Sequence, residues 1–383
     1  MIFFNDSLLT FNVVKIMSLA AIAAVLAAIW TPVLTYFLYK HKLWKKEARK
    51  KAITGEEASV FYNLHKEKEV KTPRFGGLLI WMTTLGVVSI FWLFSEIFSE
   101  NAWFKNLDFL SRSQTWLPLF TLVAASIVGL FDDVLQVCYH PSSDPPKSKL
   151  GIYFKKIITF VSGRGRYIGG GMKFTRRLLI VGTIGAVGGW WFFYKLGWDI
   201  LHVPFVGDLH IGFLYIPLFI VVMIASWSGG IIDGLDGLAG GAFASIFGAF
   251  SIIAFSQGKI DLATFCAVIT GTLFAFMWFN IPPARFYMGE TGILGLTSTM
   301  AVVAFLTDSV LLLPIIGGLL VMESGSAILQ LFSKKIRKKK LFLSTPIHHH
   351  FEAKGWPSYK VTMRFWIIGV VLAIVGVVIR LLG

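Results

Sequence analysis

Two tight pairs of acids are the residues best equipped for chemistry in this 383-residue chain. Asp132 and Asp133 are adjacent and follow the apolar run Ile127-Val-Gly-Leu-Phe131. Asp233 and Asp236 lie in Ile231-Ile-Asp-Gly-Leu-Asp-Gly-Leu-Ala-Gly-Gly241. A carboxylate at the centre of a membrane helix costs roughly 2.5–3.5 kcal/mol on insertion scales, so acids beside apolar runs need a role. For the first pair that role is a divalent-cation site or a general base. If the second pair is helical, its three-residue spacing puts both acids on one face, and the glycines around it let a ligand approach the backbone. Together the four suit Mg²⁺, which takes a few carboxylates and completes its shell with phosphate oxygens and water.

Two further clusters add complementary groups. Phe279-Asn280-Ile-Pro-Pro-Ala-Arg285-Phe-Tyr287-Met-Gly289-Glu290-Thr-Gly292 supplies an amide, an aromatic ring and an acid between glycines where a helix can begin. Pro346-Ile-His348-His349-His350-Phe-Glu352 follows the basic run Lys334-Lys335-Ile-Arg337-Lys338-Lys339-Lys340. Three consecutive histidines do not fit one tetrahedral zinc, whereas imidazoles that titrate near neutrality suit hydrogen bonding to phosphate. Acids for a metal, with cations and imidazoles for phosphates, make a kit for phosphoryl transfer, in which catalysis is mostly positioning and charge neutralisation.

The elements that must carry these groups are long apolar runs. They fall at 16–39, 77–98, 116–136, 178–196, 212–230, 238–257, 262–279, 292–307, 309–331 and 363–382, each near the ~20 residues that cross a bilayer. Pro217 and Pro314 lie inside runs and are candidate kinks. The chain therefore reads as an all-α, polytopic integral membrane protein of about ten transmembrane helices. Residues 1–383 form a single membrane-embedded domain with loops 40–75, 138–177, 229–238, 280–292 and 333–364.

Charge gives the orientation. Of 36 Lys and Arg, eleven lie in 40–75, nine in 138–177, one in 280–292 and nine in 333–364. These 30 all follow odd-numbered runs, which makes those loops cytoplasmic and both termini extracytoplasmic. Every reactive cluster falls on that face. This favours an enzyme over a transporter, whose ionisable groups sit at mid-membrane along a pathway. A net charge of +15 and a mean hydropathy of +0.70 fit basic loops meeting anionic headgroups, with no nucleic-acid partner. Cys138 and Cys266 offer neither a disulfide framework nor metal-site spacing. The first run is too long for a signal-peptide core and is expected to stay as an anchor.

At these motifs the chain resembles the polyprenyl-phosphate N-acetylhexosamine-1-phosphate transferases. The resemblance rests on Asp132-Asp133, the Asp-Gly-Leu-Asp-Gly knot, the stretch from Asn280 to Gly292, and Thr72-Pro-Arg74-Phe75-Gly-Gly77. Within that superfamily, Leu341-Phe-Leu-Ser-Thr-Pro-Ile-His-His-His-Phe-Glu-Ala-Lys-Gly-Trp356 and the following Val361-x-x-Arg-Phe-Trp-Ile-Ile368 resemble the phospho-N-acetylmuramoyl-pentapeptide transferases. This likeness implies Mg²⁺ dependence and transfer of phospho-MurNAc-pentapeptide from UDP-MurNAc-pentapeptide to undecaprenyl phosphate, giving lipid I and UMP. A sister activity would take UDP-GlcNAc. The likeness also implies a homodimer in the bacterial inner (cytoplasmic) membrane, in contact with membrane lipid. By the same resemblance Asp132, Asp133, Asp233, His348 and His349 are catalytic, and Asp133, Asp233 and Glu290 hold the metal. Lys71, Thr72, Asp236, Asn280, Tyr287, Gly289 and His350 bind substrate. The chain departs from the pattern in four places: Glu290 replaces an aspartate, Gly230 and Trp227 replace asparagines, and Arg74-Phe75 stands inside the Thr-Pro motif.

Overall fold

The computed structural model describes residues 6–45, 62, 70–138 and 171–383. The interior of loop 40–75, with Lys68, and residues 139–170 of the basic loop 138–177 lie outside the described residues. Among the described residues thirteen α-helical segments are given labels: α1 (Asp6–Lys40), α2 (Gly77–Ile97), α3 (Ala102–Leu107), α4 (Trp116–Cys138), α5 (Phe174–Trp190), α6 (Tyr215–Ser228), α7 (Leu238–Ser256), α8 (Ile260–Asn280), α9 (Gly289–Leu306), α10 (Leu313–Ile316), α11 (Gly318–Arg337), α12 (Ile347–Ala353) and α13 (Ser358–Leu382). Among the described residues nine helical segments are long and apolar enough to cross a bilayer; α10, with the turn before it, and α11 supply a tenth crossing if counted as one.

Three expectations are corrected. The first span begins at Asp6, not 16, because Lys15 can lie inside it: its ammonium donates to the Asp108 carbonyl at 2.7 Å and pairs with Asp261 at 3.2 Å. The ninth span does break, as the candidate kink at Pro314 suggested, but the place is different: it bends by 80° between Ile316 and Gly318. Pro314 sits in the first turn of the short α10, where it lacks no needed N–H, so the break falls after it at Gly317. Nor is the Asp233–Asp236 knot helical. It is a turn between a 3₁₀ segment at Gly229–Ile232 and α7, with Gly237 at φ +80° preceding the first residue of the helix. Outside the helices, an antiparallel hairpin, β1 (Ile200–Val203) and β2 (Gly207–His210), lies after the fourth span.

α9 is the axis of the bundle. Of its eighteen residues only Glu290 is not fully buried, and it packs chiefly on α4, α6, α2 and α7. Lipid offers no hydrophobic drive between helices, so their contact relies on close approach of small residues. At Gly129 of α4, an added Cβ would lie only 2.1 Å from the carbonyl oxygen of Glu290. That contact sets the end of α4, with its two acids, against the start of α9. The outer helices turn apolar side chains outward, as with Ile29 and Val33 on α1, Trp92 on α2 and Ile367 on α13.

Candidate active site

The site is built around the N-terminus of α9, whose first N–H groups have no partner within the helix. Asp133 supplies partners from α4: one carboxylate oxygen accepts the Glu290 N–H at 3.0 Å and the other the Thr291 N–H at 2.8 Å. Asp233, from the knot, accepts the Gly289 N–H at 3.1 Å. Gly289 has φ +71°, and a Cβ there would meet the Arg74 carbonyl and an Asp133 carboxylate oxygen. Only glycine fits between the two acids.

Asp132 faces the other way along α4. Its carboxylate accepts from the Met172 N–H and from the Gln136 amide at 2.9 Å. Arg177, in the first turn of α5, lies 2.7 Å from Asp132 and 2.6 Å from Glu290. A planar guanidinium can serve two carboxylates at once, which an ammonium cannot match. Beside this triad runs a narrow cleft walled by Val128, Ile180, Val181, Trp227 and Leu294.

The histidines approach from the opposite side of the knot. His348 and His349, on the short α12, are buried, with ring centroids 4.1 Å apart. Their Nδ1 atoms lie 2.8 Å from Glu323 and 2.7 Å from Glu352 respectively. Both Nε2 atoms point at Gly234: a Cβ there would stand 2.2 Å from that of His348 and 3.1 Å from that of His349. The missing side chain brings two imidazoles against the residue next to Asp233. His350 is turned away: its Nδ1 accepts the Leu343 N–H at 3.2 Å and its ring packs edge-on against Phe342. Burial and nearby Lys354 lower its pKa.

The remaining predicted residues frame this centre. Tyr287 and Met288 pair their backbone with 73–77, through Tyr287 N–H to Pro73 and Gly76 N–H to Tyr287. The Tyr287 phenol is pushed up by burial and by Asp236, against which a hydrogen bond with Thr72 acts. Lys71 is exposed at the edge. Asp236 is buried and accepts the Ala284 N–H at 3.3 Å. Asn280 is a brace within the chain, its oxygen accepting from Gly237 at 2.9 Å and its amide donating to Phe286 at 2.7 Å. Gly230 has no room for the asparagine of the family pattern, since a Cβ there would lie 2.3 Å from Ile293.

Burial raises the Asp233 carboxyl to about 6, with Glu290 adding to the rise; Arg74 and the Gly289 N–H pull it down. Arg74 is therefore a cation of the site, the part of the Thr-Pro motif that departs from the family pattern. Among the described residues no group of three His, Cys, Asp or Glu is arranged to hold a metal ion by itself. Mg²⁺ needs only one or two carboxylates when phosphates complete its shell. Asp133 and Asp233 flank Gly289, and Glu290 follows it with Oε2 free of hydrogen bonds among the described residues. These acids are of the type that takes a hard cation, and substrate phosphate oxygens would have to complete its shell.

Residues 115–308 match the model of glycosyl transferase family 4. The phospho-N-acetylmuramoyl-pentapeptide-transferase of Shouchella clausii is 35% identical over 318 residues, covering 82% of this chain and 85% of that protein. The enzymes of the same name from Anoxybacillus flavithermus and Levilactobacillus brevis are each 32% identical, covering 82% and 81% of this chain and 85% of each relative. The chain belongs to the phospho-N-acetylmuramoyl-pentapeptide transferase family. As a member of that family it is a multi-pass membrane phosphoglycosyl transferase in class.

Sequence reasoning did not assign Arg74, Arg177 or Glu323, which the structure places beside Asp233, Glu290 and His348 respectively. Arg177 is one cation among nine in the basic loop 138–177, and charge counting could not separate it from topology-fixing neighbours. Glu323 did leave a signal. It is a lone acid within an otherwise apolar span, which by itself marks a candidate functional group.

Proposed function

We propose that this protein transfers phospho-MurNAc-pentapeptide from UDP-MurNAc-pentapeptide to undecaprenyl phosphate, releasing UMP and forming lipid I for peptidoglycan synthesis. The observation that carries this reading is the gathering of Asp133, Asp233 and Glu290 at the start of α9, with two imidazoles against Gly234 and Asp132 tied to Glu290 through Arg177. The names of the relatives support the choice of donor and acceptor. The charge of the surrounding loops favours the cytoplasmic face of the bacterial inner membrane.

An oxygen of the lipid phosphate attacks the β-phosphorus of the donor. The new P–O bond forms as the bond from that phosphorus to the oxygen of the α-phosphate breaks, and UMP leaves with the electron pair. The phosphate head of the lipid is assigned to Arg177 of the Asp132–Arg177–Glu290 triad, beside the apolar residues Val128 and Ile180. Asp132 takes up the lipid phosphate's proton if it arrives protonated. His348 and His349 face the diphosphate at the knot, and Tyr287 offers its ring to the uracil. Asp133, Asp233 and Glu290 would hold Mg²⁺, whose chemistry is neutralisation of pyrophosphate charge.

The test is UMP release by purified protein given UDP-MurNAc-pentapeptide and undecaprenyl phosphate with Mg²⁺ or Mn²⁺, with products identified by mass spectrometry. Folded protein that releases no UMP with either metal overturns the reading. UMP formed only with UDP-GlcNAc transfers the assignment to the sister reaction.

A further inference from the structure

Glu323 and His348 form a polar contact with no solvent around it. Both residues are 0% exposed, and Nδ1 of the imidazole lies 2.8 Å from one oxygen of the carboxylate. They come from different elements: Glu323 is on α11, six residues past the break at Gly317, and His348 is the second residue of α12. Buried polar atoms are nearly always partnered, and exceptions call for a reason. Two exceptions occur together here, since Glu323 Oε1 and His348 Nε2 lack hydrogen-bond partners among the described residues.

The second of these atoms has a direction. His348 Nε2 packs against Gly234, beside Asp233, where the lack of a side chain lets the ring approach. An ionised carboxylate only accepts hydrogen bonds, so with Glu323 on Nδ1 the imidazole carries its hydrogen there, and the far nitrogen is the working end. A phosphate oxygen that reaches Nε2 also only accepts. The His348 that meets it must then bear hydrogen on both nitrogens, with the Glu323 carboxylate as counter-charge. A structural pair with no other duty has no need to leave a buried Nε2 bare.

We infer that Glu323 is a positioning residue for the transfer, an inference that rests on the activity proposed above. It grips His348 by Nδ1 and delivers Nε2 to a diphosphate oxygen of the donor at Gly234. The bend of the ninth span is what brings an acid on a membrane helix to a histidine of the loop.

The test compares wild type with Glu323→Gln, which keeps size and a hydrogen-bond acceptor but removes the charge. Outer carboxylate partners of functional imidazoles are worth roughly 10–100-fold, so kcat for UMP release is expected to fall by about that factor. KM for both substrates should stay within about twofold, and melting in detergent should be unchanged. A variant that retains at least half of wild-type kcat overturns the inference. ¹⁵N-histidine spectra of wild type, with His348 assigned by loss of its signal in His348→Gln, give a second readout. A hydrogen on Nδ1 supports the contact, and a bare Nδ1 overturns the inference even if Glu323→Gln does not fold. Wild type without UMP release fails the proposed function, while the spectra still decide whether Glu323 holds the ring.

Discussion

Asp133 accepts the backbone N–H of Thr291 at 2.8 Å, so a side chain of α4 caps a helix begun 158 residues later. Its second oxygen takes the N–H of Glu290. The acid is thus part of the frame that places Glu290 as well as a candidate for chemistry. Asp133→Asn can accept only one of these N–H groups. A buried donor left unpaired costs about 1–3 kcal/mol, so this variant is expected to melt earlier in detergent as well as to lose UMP release. Loss of activity with an unchanged melting curve would show that the cap contributes little.

Arg177 spans Asp132 and Glu290 with its two terminal nitrogens. Arg177→Lys reaches one acid at a time and is expected to lower kcat/KM by about tenfold, the kinetic equivalent of ~1.4 kcal/mol. Arg177→Met leaves two poorly solvated acids without their cation and is expected to cost about 3–5 kcal/mol of stability. Parallel assays of UMP release and thermal melting check both.

Glu290→Asp shortens the reach to Arg177 by one methylene and moves the carboxylate relative to Asp133. The ratio of rates with Mg²⁺ and Mn²⁺ is expected to change, because Mg²⁺ tolerates little departure from octahedral geometry. Equal ratios in variant and wild type would remove Glu290 from the metal site.

Asp233 titrates at about 6, above its ordinary 3.8, chiefly because burial disfavours its charged form. A raised folded-state pKa means that its contribution to stability is complete below about 4 and is lost as pH rises through about 6. Function runs the opposite way, since only the ionised group can bind a cation. UMP release is expected to rise through pH 6 and level off above about 7. Asp233→Asn should be inactive at every pH and more stable than wild type near pH 8; a rate flat from pH 5 to 8 in wild type sinks the assignment.

Gly234→Ala places a methyl group where the two Nε2 atoms converge. The rings must swing away, and loss of at least about 100-fold in kcat is expected, as for a misplacement of about 1 Å in a catalytic array. An active variant would show that the imidazoles do not work at this gap.

Much of this was legible before any coordinates. Membrane spans announce themselves because every backbone polar group must be satisfied within the span, which leaves long apolar runs. The acids and histidines stood out for the complementary reason, as polar groups at apolar borders. What stayed hidden depends on three-dimensional pairing. Nothing in the local sequence tells that Asn280 braces Gly237 against Phe286, or that His350 turns from its two neighbours. Pro314 signalled a break in the ninth span but not its 80° size or its place at Gly317, because hydropathy averages over a window and carries no direction. The knot read as a possible helix since periodicity sees only spacing, while the positive φ at Gly237 belongs to the turn.

The principal neighbours of α9, namely α2, α4, α6 and α7, all precede it in the chain. Its socket is therefore synthesised before the plug. Segments made earlier tend to fold first, so α9 enters an assembly already waiting for it. With its threonines, serines and glycines facing protein on every side, it answers to the shape of that socket and hardly to the oil outside.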